Sequence, residues 1–277
     1  MKGIILAAGY ATRLYPLTLN RAKALLPVHD RPIIDYIVDQ MLTLPDLDQL
    51  IVISNHRFAG QFYEWAAKRN QELTAAGRQK SNPGADPFIR VLDDGTTSEG
   101  DRLGAIGDMQ YCIDQLNIDD DLLVIAGDNL FTFQLYDAWS HFHQHGEDMI
   151  LARKMPPEED LHRYAIAVVN DQGLVSDLAE KPEHPKTNLA VYATYFYRRD
   201  TVPLINEYLA AGNKPDAPGN FPAWLYQRKP VRVYFFEGLC IDIGTPQSYE
   251  DVQTTFPVSA TGEQVNQDFM DTTPDKA

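Results

Sequence analysis

Short apolar runs alternate with longer stretches of helical spacing through the first half of the chain. Ile4–Ala8 reads as a buried strand, and Ile33–Leu44 repeats its apolar positions at Ile33, Ile37, Met41 and Leu44, as one face of a helix does. The same alternation continues with strands at Leu50–Ser54, Phe88–Leu92 and Leu122–Ala126 and helices at Phe58–Asn70 and Leu103–Leu116. Strand and helix in turn predict a mostly parallel sheet covered on both faces, with ligands at the carboxyl ends of the strands. After residue 145 the texture becomes β-rich, with short runs at Met149–Lys154, Ala165–Asn170, Leu189–Tyr197 and Val231–Glu237. These read as the rest of the sheet plus a small antiparallel lobe. Val202–Ala211 and Gln247–Gln253 read as helices, residues 71–86 and Asp93–Asp101 as exposed loops, and Pro257 onward as a polar tail.

Composition narrows the classes. With 277 residues, 44% of them hydrophobic, the chain can bury a substantial core as one domain. No apolar run approaches a membrane span. Cys112 and Cys240 stand alone, without a disulfide framework or metal-binding spacing, which fits a reducing cytoplasm. The net charge of −15, from 24 basic and 39 acidic residues, argues against nucleic acid or an anionic membrane as partner. It leaves a nucleotide substrate open, because a few placed cations decide a local site.

The chemistry begins where the first strand stops. Gly9 opens a small-residue loop carrying Arg13, and Lys23 follows ten residues later. Small residues let backbone N–H groups approach an anion, and two cations can neutralise it. The loop is not a Walker A sequence, since no Gly-Lys-Ser/Thr follows Gly9. Nor is it the dinucleotide fingerprint: Ala11 and Leu14 occupy the later glycine positions, and the second strand ends in Ser54-Asn55-His56 without a carboxylate to hold a ribose.

The segment Leu6-Ala7-Ala8-Gly9-Tyr10-Ala11-Thr12-Arg13-Leu14-Tyr15-Pro16-Leu17-Thr18, followed by Ala22-Lys23-Ala24-Leu25-Leu26-Pro27-Val28, resembles the opening signature of the sugar-phosphate nucleotidylyltransferases. That family includes the glucose-1-phosphate thymidylyltransferases. Four later stretches match in order: Arg102-Leu103-Gly104-Ala105, Gly127-Asp128, Glu180-Lys181-Pro182 and Asp242-Ile243-Gly244-Thr245-Pro246.

The resemblance implies an α/β fold with a Rossmann-like mixed, mostly parallel sheet flanked by helices and a small β-rich acceptor lobe. It covers a single domain of residues 1–256, with a nucleotide part to about 145, an acceptor part at 146–256, and a polar tail at 257–277. It implies transfer of a nucleotidyl group from a nucleoside triphosphate to a sugar 1-phosphate, dependent on Mg²⁺. Leu6, Ala7, Ala8, Gly9, Thr12, Arg13, Lys23 and Gly104 would hold the nucleotide. Ala165, Glu180, Lys181 and Asn188 would hold the acceptor, and Asp128 and Asp242 the metal. Arg13, Lys23 and Lys181 would act on the reacting phosphates. The family commonly assembles as dimers or tetramers, so a homo-oligomer is open.

Departures from the pattern fall on substrate choice. Ala11, Ala165 and Ala193 replace family glycines, Ala22 replaces a proline, and the glutamine that opens the base loop is absent near Asp93 and Asp94. A cytidylyltransferase acting on a polyol or inositol phosphate is therefore a second expectation. A non-catalytic regulator binding nucleotide sugars is a third, of another class. The run His141-x-His143-x-His145 places only two rings on one helical face, short of the three ligands a catalytic zinc needs, and is expected to be a solvated helix end.

Overall fold

The computed structural model describes residues 1–77 and 87–257. In chain order the strands of the first half are β1 (Lys2–Leu6), β2 (Pro27–Val28), β3 (Arg31–Pro32), β4 (Gln49–Ser54), β5 (Ile89–Asp93), β6 (Leu122–Ala126) and β7 (Asn129–Phe131). Between them run α1 (Ile33–Met41), α2 (His56–Ala75) and α3 (Ala105–Leu116). The second half holds α4 (Leu135–His145), β8 (Asp148–Lys154), β9 (Ala165–Val169), β10 (Val175–Glu180) and β11 (Leu189–Tyr197). It closes with α5 (Val202–Ala210), α6 (Asn220–Leu225), β12 (Val231–Phe235), β13 (Cys240–Asp242) and α7 (Pro246–Thr255).

Nine strands form one sheet. β6, β1, β4 and β5 lie side by side and parallel, so their carboxyl ends share one rim. β11 runs antiparallel to β6 through Thr194–Tyr197, then passes beyond its end and pairs with β9 through Ala190 and Val191. β8 follows the other edge of β11, with a register shift between Tyr192 and Tyr195, and β12 lies outside β8. The expected antiparallel lobe is thus the β9–β10 pair, continuous with the sheet and splayed away where β6 ends. That splay opens a cleft beside Ala126.

Period-two alternation explains the layering. Ile5, Val52, Leu123 and Ile125 face one core with α1, α2, α4 and α7, whereas Ile4, Ile51, Ile53 and Val124 face a second with α3, α5 and α6. Two loop expectations need correction. α2 runs on to Ala75, into the expected loop at 71–86, because Leu73 supplies another buried contact and Asn70 bonds both backbone groups of Ile89. In the 93–101 stretch, Asp94 and Thr96 are buried rather than exposed. Residues 78–86 of the first loop, and the expected tail beyond residue 257, lie outside the described residues.

Candidate active site

A cleft of about 660 Å³ follows the carboxyl rim of the sheet and the splay of β9 and β10. Leu6, Ala7, Ala8, Gly9, Thr12, Arg13 and Lys23 line it, as do Gly104, Asp128, Ala165, Glu180, Lys181 and Asp242. Of the sequence-predicted residues, only Asn188 is not among its walls. The Asn188 side chain instead donates to the Met155 carbonyl at 2.6 Å, fixing the turn before β11.

The loop after β1 is shaped from below. Asn55 is buried, and its amide donates to the Ala8 carbonyl at 2.8 Å while its oxygen caps α2 at the Phe58 N–H. The residue at the end of the second strand therefore braces the loop. A Cβ at Gly9 would meet no protein atom within 4 Å, so nothing in the protein's own packing demands glycine there; the open space belongs to the cleft. Ala11 sits in the left-handed region at φ 49°, ψ 40°, where a Cβ is strained. Its carbonyl accepts from the Thr18 hydroxyl and the Leu14 N–H, which hold it there. Ala11→Gly is expected to raise stability by about 1 kcal/mol. A denaturant titration checks this: the midpoint should rise with the slope unchanged.

Lys23 projects from a 3-10 turn at Lys23–Leu25, with Ala24 buried beneath it. Its ammonium lies 2.5 Å from Asp128 Oδ2 and 3.7 Å from Asp242 Oδ1. The two carboxylates, far apart in sequence, meet because β7 and β13 pair antiparallel with Asn129 opposite Asp242. Asp242 keeps half its side chain open to the cleft, at 50% exposure. Even so, the protein around it and then the Asp128 charge raise its carboxyl above the ordinary range, while Lys23, Arg13 and Arg163 draw it down. Two hard oxygen donors side by side are a set that would suit a magnesium ion, which takes few ligands from the protein.

At the other end, Glu180 closes β10 and Lys181 follows it in the left-handed region at φ 48°. Burial raises the Glu180 carboxyl, and Lys181 partly offsets this. Gly219 makes room for it, since a Cβ there would lie 2.1 Å from Glu180 Oε2. Ala165, nearly buried beside that glycine, and Ala193, at the β11 register shift, put two methyl groups on this wall.

Several walls were not anticipated from the sequence. Arg163 adds a third cation near Asp242, and Asp108 and the 215–219 segment join Asp94 of the expected base loop at the far end. Gly104 has φ +80°, and a Cβ on it would strike the Pro215 carbonyl at 2.7 Å. The first amides of α3 are already bonded by that segment, Ala105 to Asp216 and Ile106 to Pro215. A Pro/Gly-rich turn, Lys214-Pro215-Asp216-Ala217-Pro218-Gly219, was the available signal for this wall. On α4, the tilted rings of His141 and His145 lie with centroids 4.3 Å apart, and His143 reaches Asp46 at 3.2 Å. Among the described residues, no helix is long and apolar enough to cross a membrane.

A family profile described as nucleotidyl transferase matches residues 2–257. The glucose-1-phosphate thymidylyltransferase of Xanthomonas campestris is 30% identical over 212 residues, covering 71% of this chain and 59% of its own. The UTP–glucose-1-phosphate uridylyltransferase of a Synechocystis species is 25% identical over 252 residues, covering 90% of this chain and 61% of its own. The chain thus spans about 60% of the length of these two curated relatives. A UDP-glucose pyrophosphorylase solved with UDP-glucose shares the fold, with a TM-score of 0.73 at 20% identity over 91% of this chain and 96% of that one. From the sheet order, the loop after β1 and the match across nearly the whole described chain, the protein belongs to the nucleotidyl transferase family.

Proposed function

We propose that the cleft transfers a nucleotidyl group from a nucleoside triphosphate to a sugar 1-phosphate, giving a nucleotide sugar and pyrophosphate. The observation that carries this reading is the Lys23 ammonium between Asp128 and Asp242, with Arg13 beside them, at the rim of a parallel sheet. The acceptor phosphate is already an anionic nucleophile, so no acid–base pair is needed. The task is to bring anions together, which is a matter of positioning and charge.

Residues to about 145 hold the triphosphate and those from 146 to 256 the acceptor. Arg13 steadies the departing pyrophosphate, Lys23 the reacting phosphates and Lys181 the acceptor phosphate. Glu180 accepts hydrogen bonds from acceptor hydroxyls. Asp128 and Asp242 would hold Mg²⁺, which lowers the negative charge of the triphosphate when bound. The relatives' names, a thymidylyl- and a uridylyltransferase of glucose 1-phosphate, support this reaction class. The methyl groups of Ala165 and Ala193 narrow the acceptor wall and favour, as a second reading, a slimmer polyol phosphate.

A screen of four nucleoside triphosphates against sugar and polyol phosphates, read as pyrophosphate release, tests the proposal. Release that requires both a triphosphate and a phosphorylated acceptor is expected. Binding of a nucleotide sugar with no release under any pairing would point to a regulator instead.

A further inference from the structure

Asp94 and Asp108 line the cleft together with the loop after β1. The two residues are only 9% and 6% exposed. Asp94 follows β5, and its Oδ1 accepts from the Thr96 N–H at 2.7 Å and the Thr96 hydroxyl at 2.8 Å. Tyr10 in turn donates to that hydroxyl. The Asp94 carboxylate is therefore fixed in orientation, and its second oxygen is buried with no partner. Asp108, in the first turn of α3, likewise has a buried Oδ1 with no partner.

A buried carboxylate oxygen without a donor is costly, and native proteins rarely leave one so. Buried Asp148, by contrast, is held by Thr201, Lys229 and the Arg198 N–H. Two buried oxygens without partners, on residues that line a ligand cleft, call for donors from a ligand. The triphosphate end is set by Lys23 and Asp128, so the part of a nucleotide reaching Asp94 and Asp108 is its base.

We propose that Asp108, supported by Asp94, reads the nucleobase and selects guanine. This rests on the nucleotidyl-transfer reading of the cleft. Guanine presents a carbonyl, an imino N–H and an amino group in a row along one edge. Two carboxyl groups that carry one proton in total offer the complement, an O–H for the carbonyl and oxygens for the adjacent N–H groups. Uracil and thymine offer one N–H between two carbonyls, and cytosine and adenine one amino group beside a bare ring nitrogen. Each leaves an acceptor of the pair unused. Burial and the Asp94 charge push the Asp108 carboxyl up to about 8, consistent with a proton retained by the pair at neutral pH.

The test compares triphosphates on the wild-type protein with Mg²⁺ and glucose 1-phosphate. GTP should exceed UTP, dTTP, CTP and ATP in kcat/KM. Inosine triphosphate, which lacks the amino group, should fall below GTP by about tenfold or more. Asp108→Asn should lower kcat/KM for GTP by at least a similar factor and raise the relative use of xanthosine triphosphate, whose carbonyl replaces the amino group. Preference for a pyrimidine, equal use of inosine triphosphate, or an Asp108→Asn protein unchanged toward GTP would overturn the inference while leaving the reaction standing. If no triphosphate releases pyrophosphate, the reaction reading fails, and calorimetric titration of GTP against inosine triphosphate decides the base assignment alone. Because the inosine comparison uses the wild-type chain, a misfolded variant does not remove the test.

Discussion

Asp128→Asn is expected to slow pyrophosphate release by about two to three orders of magnitude, with the melting temperature changed by no more than a few degrees. The reason lies in what the carboxylate does within the protein. It holds Lys23 at 2.5 Å and raises the carboxyl of its neighbour Asp242. Loss of its charge removes one ion pair and one repulsion together, and Lys23 keeps Asp242 at 3.7 Å as a second partner. The stability terms therefore offset. The catalytic terms do not, because the asparagine cannot supply an anionic oxygen to a divalent ion. The check is a rate measurement across Mg²⁺ concentrations beside a thermal melt. The variant should need more Mg²⁺ for half-maximal rate, and near-wild-type rates would remove Asp128 from the metal pair.

The second large effect is a dependence of stability on pH that Asp108→Asn should abolish in part. The Asp108 carboxyl rises from an ordinary 3.8 to about 8 through burial and the Asp94 charge. A folded state that holds a proton more tightly than the unfolded chain is favoured at low pH and loses that advantage as pH rises between the two values. The contribution is thus fully lost above about pH 8, with a limiting slope of about 1.4 kcal/mol per pH unit. Asp35, Asp94 and Asp148 are also raised by burial, so the wild-type curve contains their share. The difference between variant and wild type isolates Asp108. Denaturant titrations at pH 5, 6.5 and 8 should show the asparagine protein gaining steadily on the wild type. A difference that stays flat across this range would mean that Asp108 is ionised in the folded protein already. The same substitution is expected to impair use of GTP, a gain in stability at the cost of function.

Local signals made much of this architecture legible. β6 and β11 fall where alternation placed them, since buried strands of β-branched and aromatic residues carry their own boundary in the turn residues around them. The loop after β1, Lys23, Asp128, Glu180, Lys181 and Asp242 were visible as motifs, and they gather in one cleft. What escaped was made by distant pairing. β13 is only three residues long, and nothing local announces that it pairs with β7 to bring Asp242 beside Asp128. β10 mixes polar and apolar residues because only Val175 and Leu178 are buried. Asn188 sits in a family-like stretch, but its side chain turns to the backbone of Met155, a choice that sequence spacing does not reveal. Asp108 was hidden for a different reason: an acidic residue on an amphipathic helix reads as part of its solvated face, and only the packing of α3 against β1 and β4 buries it.

The central claim is transfer at the α-phosphorus, and positional labelling tests it most directly. The protein is given a phosphorylated acceptor, Mg²⁺ and a triphosphate labelled either at the α or at the γ phosphate. Label from the α position should appear in the nucleotide sugar, and label from the γ position only in pyrophosphate. Label passing from the γ position to the acceptor, or release of the γ label as free phosphate, would contradict the account.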